Sequence, residues 1–141
     1  MTEGLVVLCT CPDDPVAERI ARNLASEGLA ACVNRGPFRS TYRWKGALHD
    51  EPEVLLIIKT SRARYAELEV RLKSLHPYEV PEIIALPIVA GSSDYLAWMA
   101  EQTGAAAMAG PASPGGSASA VGSASPAPVG SALPVSAGKS P

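Results

Sequence analysis

A chain of 141 residues is long enough for one small domain with something appended. It carries 12 basic and 14 acidic side chains, a net charge of -2 with no basic block, which argues against nucleic acid as a partner. No apolar run approaches the roughly 18 residues a membrane span needs, and the opening MTEGLVVLCTC lacks the basic start and apolar length of a secretory signal. The expectation is a cytoplasmic protein in which Cys9, Cys11 and Cys32 stay reduced.

The composition changes near Gly104. From Gln102 onward Lys139 is the only charged residue, and Ala, Gly, Ser and Pro dominate. Such a segment has little to bury against the entropy cost of ordering a chain. Residues 1–103 are therefore expected to form the domain and 104–141 a disordered tail.

LVVLCTC, residues 5–11, reads as a strand buried on both faces. Asp13 or Asp14 can cap the helix that follows, with Pro15 in its first turn. Ala17, Ile20, Ala21, Leu24 and Ala25 recur at helical spacing, and Gly28 can close the helix. LAACVN, 29–34, is a second strand, interrupted by Gly36 and Pro37. FRSTYRW, 38–44, alternates Phe38, Ser40, Tyr42 and Trp44 against Arg39, Thr41 and Arg43, the pattern of a half-buried antiparallel strand. KGALHD reads as a turn, with His49 solvated in it. EVLLIIKT, 53–60, is apolar on both faces and predicts a central strand. Lys59 there is expected to pair with an acid. Ser61 is a plausible cap for a helix bearing Tyr65, Leu68, Leu72 and Leu75, which Pro77 should end at His76. EIIALPIV, 82–89, predicts a strand that Pro87 confines to an edge or a bulge. A last short helix starts after Gly91, with Tyr95, Trp98 and Met99 as its apolar stripe.

The order is strand-helix-strand twice, joined by a long hairpin. This is the split βαβ arrangement, an α+β fold with both helices on one face of an antiparallel sheet. The other face then needs cover, and a homo-oligomer packing sheet on sheet supplies it economically.

Chemistry narrows to a few residues. Cys9 and Cys11 are alternate residues of one strand and share a face; two thiols there suit a soft ion such as Cu(I) or Zn(II), or simply pack as small apolar groups. His76 before Pro77 is either a ligand or a histidine favoured by the helix C-terminus. Glu82 opens a strand and can be a base, a ligand or an ion-pair partner. Tyr42, Trp44 and Tyr78 can wall a pocket or pack in a core. G-x-S-x-G, the P-loop, H-E-x-x-H and C-x-x-C are all missing. A Cys–His nucleophile pair would lack any visible oxyanion donor, and no enzymatic activity is expected.

VVLCTCPD at 6–13, GLAACVN at 28–34, YRWKG at 42–46, EVLLIIKT at 53–60, HPYEVPEIIALPI at 76–88 and DYLAWM at 94–99 occur in that order. Together they resemble the CutA divalent-cation tolerance family over residues 4–101, excluding the tail. The resemblance implies a ferredoxin-like domain in a tight homotrimer, similar to the PII signalling proteins. It implies tolerance of divalent metals, copper especially. It implies Cys9 and His76 as metal ligands, and Glu82, in an intersubunit cleft with His76, as a third metal-site residue. Some members carry a second histidine where this chain has Leu75, so one ligand of their set is missing. Cys32, Tyr42, Trp44, Lys59 and Tyr78 also match family positions in that cleft. A second reading is a PII-like signalling or scaffold module that binds a small molecule or a protein in the cleft.

Overall fold

The computed structural model describes residues 2–104. The tail expected over 104–141 lies, apart from Gly104, outside the described residues. The elements are β1 (Gly4–Cys11), α1 (Asp14–Ser26), β2 (Cys32–Trp44), β3 (Ala47–Ser61), α2 (Arg62–Leu75), β4 (Ile84–Pro87) and α3 (Ser93–Thr103). The sheet order is β2-β3-β1-β4 with every neighbour antiparallel, so the split βαβ arrangement expected from the element order is present.

Local chemistry explains most boundaries. Asp13 accepts the Val16 amide at 3.0 Å and starts α1, with Pro15 in the first turn, where no amide is needed. Gly28 takes φ 70°, the left-handed conformation that reverses the chain after α1. Pro77 drives His76 out of the helical region to φ -86° and ψ 134°, which ends α2 at Leu75. Pro87 falls on β4, an edge strand, as expected.

Two expectations need correction. Gly36 and Pro37 do not split β2, which runs unbroken from Cys32 to Trp44. β2 is the other edge of the sheet, and a proline there can turn its amide-less side outward. The turn is also much shorter than KGALHD. Lys45 and Gly46, with φ 48° and 79°, make a two-residue hairpin turn of the twist that matches strands, so Ala47 to Asp50 stay in β3. His49 is therefore a strand residue, stacked on Tyr42 with centroids 5.3 Å apart and its Nδ1 3.4 Å from a Glu51 oxygen.

The core lies between the sheet and the pair α1 and α2. Ala17, Ile20 and Leu24 from α1 and Leu68 and Leu72 from α2 pack on Val7, Cys9, Leu56 and Ile58. Each fully buried aliphatic side chain of this kind contributes roughly 1.5–3 kcal/mol. Two interhelical contacts fix α2 against α1. Arg71 grips Glu27 at 2.8 Å, and Arg19 donates to the Leu75 carbonyl, an orphan of the helix end, at 2.8 Å.

The opposite sheet face carries Val6 and Leu8 of β1 with Leu55 and Ile57 of β3, and Leu8 and Ile57 pair directly across the strands. α3 covers one end of it. Met99 is buried there, and a Cβ on Gly4 would meet Ile88 Cδ1 at 3.0 Å and Met99 Cε at 3.5 Å. Tyr95 and Trp98, expected with Met99 in one apolar stripe, pack against each other with tilted rings and stay partly exposed. Leu8, Leu55 and Ile57 are half-buried, and Ile84 and Leu86 of β4 are exposed in the single protomer.

Candidate metal centre

The site is assembled where β1 ends beneath the exit of α2. Strand alternation turns Cys9 and Cys11 to the helix-covered face, opposite Leu56 and Val54, and both are fully buried. Arg19 anchors the last carbonyl of α2, and Pro77 forces the extended backbone that folds the His76 ring back towards β1. The ligand atoms of Cys9, Cys11 and His76 all lie within 4.8 Å of one another. His76 is 8% exposed, so the cluster is shielded from bulk water.

The imidazole is held by backbone at both nitrogens. The Tyr78 amide donates to Nδ1 at 3.1 Å, which leaves Nε2 to carry the proton and donate to the Thr10 carbonyl at 2.8 Å. The ring also packs on Tyr78, with centroids 4.7 Å apart. Tyr78 in turn donates its hydroxyl to buried Glu53 at 2.8 Å. The connector 76–83 is thus tied to β1 through His76 and to β3 through Tyr78.

The two thiols behave unequally. A hydrogen bond with Cys11 and burial push Cys9 up, so it keeps its proton. The hydrogen bond from Cys9 pulls Cys11 down, assisted by His76 and opposed by burial. A thiolate beside a thiol and an imidazole is a soft donor set, the kind that suits copper or zinc rather than calcium or magnesium.

The structure brings Cys9 and His76 together and adds Cys11 to them. Cys11 was visible in the sequence as the second member of a C-x-C pair on one strand face. Glu82 sits half-buried in the connector outside this group, and its charge reaches Cys9 only through space. The Glu53–Tyr78 bond spans 25 positions and left no local signal in the sequence. Lys59, expected to meet an acid, donates to the neutral Asn34 Oδ1 instead. Cys32 also lies by Asn34, with Sγ 3.9 Å from Oδ1, on the face away from the centre.

The family described as CutA1 divalent ion tolerance protein matches residues 5–102. The chain belongs to the CutA family. It is 50% identical over 100 residues to the divalent-cation tolerance protein CutA of Thermus thermophilus, a match that spans 70% of this chain and 97% of that protein. Identity to the protein of the same name from Pectobacterium atrosepticum is 43% over 100 residues, spanning 70% of this chain and 91% of that one. Among solved structures, the divalent cation tolerance protein of Thermus thermophilus superposes with a TM-score of 0.70 at 49% identity, covering 72% of this chain and 99% of its own. CutA of Xylella fastidiosa superposes with a TM-score of 0.72 at 40% identity, covering 73% and 100%. An Archaeoglobus fulgidus neighbour, TM-score 0.70 at 36% identity and covering 72% and 99%, is titled a periplasmic divalent cation tolerance protein. The relatives' names attach these proteins to divalent-cation tolerance.

Proposed function

We propose that this chain is a divalent-cation tolerance module that binds copper or a related metal ion at Cys9, Cys11 and His76, and that it acts by binding rather than by turnover. The observation that carries the reading is the mutual approach of three buried ligand atoms to within 4.8 Å. A trigonal ion with metal–sulfur bonds of about 2.3 Å holds two sulfurs roughly 4.0 Å apart, so the cluster needs to contract by less than about 1 Å. Glu82, just ahead of β4, serves in this reading as a nearby negative charge.

The same proposal includes a homotrimer in a PII-like arrangement, located in the cytoplasm. The support for assembly is the apolar sheet face, where Phe38, Ile84 and Leu86 are about half exposed in the protomer. The support for a reducing compartment is that Cys9, Cys11 and Cys32 are all free.

A second reading, a scaffold that holds a small molecule or a protein, draws on one fact. Both His76 nitrogens already have backbone partners, so a metal must displace one of them. Anaerobic and aerobic copper titration by calorimetry on wild type, Cys9→Ser and His76→Ala separates the two. About one ion per protomer, lost in both variants, supports the metal reading. Weak binding that neither substitution changes refutes it and favours the scaffold. Sedimentation equilibrium at micromolar protomer tests the trimer, and a monomer there refutes that part.

A further inference from the structure

Cys11 is the one ligand atom in the centre that the resemblance did not bring with it, and its presence restricts the ion. The pocket offers two sulfurs and one imidazole nitrogen from a single protomer, with Cys9 and Cys11 at 0% exposure and His76 at 8%. Calcium takes six to eight oxygens, and magnesium demands an octahedron and keeps several waters. The acids closest in effect are poorly placed for that chemistry. Glu53 is engaged by the Tyr78 hydroxyl, and Glu82 falls outside the cluster. Structural zinc is almost always four-coordinate. A fourth His, Cys, Asp or Glu ligand is absent from the cluster among the described residues, and burial leaves little room for water to complete it. Cuprous ion is soft, prefers thiolate, and is satisfied by three ligands.

We infer that Cys11 sets the metal preference of this centre: with Cys9 and His76 it makes a three-coordinate site of two sulfurs and one nitrogen that selects monovalent copper over divalent ions. The inference rests on the metal-binding reading above. Loading exchanges thiol protons for the ion, and no electron moves when copper is supplied as Cu(I). Without Cys11 the centre would keep one sulfur and one nitrogen, a pair that a divalent ion can share with water.

The test uses the full chain under anaerobic conditions, with Cu(I) delivered from its coloured bicinchoninate complex. Wild type, Cys11→Ala, Cys11→Ser and Cys9→Ser are compared, with zinc and manganese titrated in parallel, and copper-edge X-ray absorption counts the sulfurs. The expected result is one Cu(I) per protomer bound through two sulfurs and one nitrogen, and not displaced by a tenfold excess of zinc. Cys11→Ala and Cys11→Ser should lower Cu(I) affinity by more than about 100-fold, beyond the range seen when only an outer partner of a ligand is lost. Their copper spectra should show a single sulfur. Wild type that binds copper through one sulfur, with both Cys11 variants unchanged in affinity and preference, overturns the inference and leaves the metal reading standing. Wild type that binds no copper or zinc, or binding that survives Cys9→Ser unaltered, overturns the metal reading itself. The sulfur count on wild type decides the matter even if neither Cys11 variant folds.

Discussion

His76→Ala, measured without metal, isolates what the histidine does for the fold. The ring supplies the hydrogen bond to the Thr10 carbonyl at 2.8 Å and accepts the Tyr78 amide at 3.1 Å. After truncation the Thr10 carbonyl keeps only the weak approach of Cys9 Sγ at 3.8 Å, a loss of about 1 kcal/mol. The Tyr78 amide loses its acceptor in a buried place, which costs about 1–3 kcal/mol. The packing of the ring on Tyr78 adds about 0.5–1.5 kcal/mol. The variant should therefore unfold about 3–5 kcal/mol more easily, a large fraction of a small domain's stability. Guanidinium titration with a chelator present, at one fixed protomer concentration, reads this as a lower midpoint with an unchanged slope. Two replacements divide the effect. His76→Asn puts an oxygen near the Nδ1 position and should recover the Tyr78 part; His76→Gln puts an N–H near Nε2 and should recover the Thr10 part. An alanine variant within about 0.5 kcal/mol of wild type, or Asn and Gln no better than Ala, would refute the structural role.

Further outcomes follow from the same geometry. Thiolate absorbance at 240 nm should appear at a pH below the ordinary thiol range and vanish in Cys11→Ser, because the hydrogen bond from Cys9 holds Cys11 down; no thiolate below pH 8 would contradict this. Burial, then the bond to Glu51, raises Tyr42 to about 12, so the fold favours the neutral phenol. That contribution is complete below pH 10 and is lost as the pH climbs towards 12, and Tyr42→Phe should flatten the alkaline loss of stability. Gly4→Ala pushes a methyl to 3.0 Å from Ile88 Cδ1, and should cost about 1–3 kcal/mol and loosen α3, read as faster proteolysis after residue 90. Copper loading should speed hydrogen exchange at the Tyr78 amide, and unchanged protection in the loaded protein would show that His76 is not a ligand.

The elements that were legible in the sequence are those whose ends are set by one residue's backbone chemistry. Asp13, Gly28 and Pro77 each act within a turn of their own position, and each end falls where the residue puts it. The continuity of β2 was not legible, because Gly36 and Pro37 are tolerated only by virtue of an edge position that the whole sheet decides. The place of His49 was hidden for a related reason. A hairpin with two positive-φ residues needs no others, and Lys45 is an unusual occupant of the first of them. In the centre, the shared face of Cys9 and Cys11 follows from a period of two, whereas the approach of His76 depends on how α2 packs on α1. The contacts that set that packing, Arg71 to Glu27 across 44 positions and Arg19 to Leu75 across 56, have no local pattern.

His76 serves as connector and as candidate ligand with the same two nitrogens, and the two uses exclude each other. The free lone pair is on Nδ1, and the Tyr78 amide holds it. A metal that takes Nδ1 frees that amide directly. A metal that takes Nε2 moves its proton to Nδ1, and two N–H groups then face each other across 3.1 Å, so Tyr78 must leave in that case too. Either route breaks the His76–Tyr78 hydrogen bond inside the 76–83 connector, the Nε2 route also breaks the tie to the Thr10 carbonyl, and the Tyr78 hydroxyl on Glu53 is left in place. The segment that joins α2 to the edge strand β4 would therefore differ between metal-free and metal-bound chains in its hydrogen-bond count. An ion buried among Cys9, Cys11 and His76 would be felt at Tyr78 by either route, and at the Thr10 carbonyl of β1 by the Nε2 route.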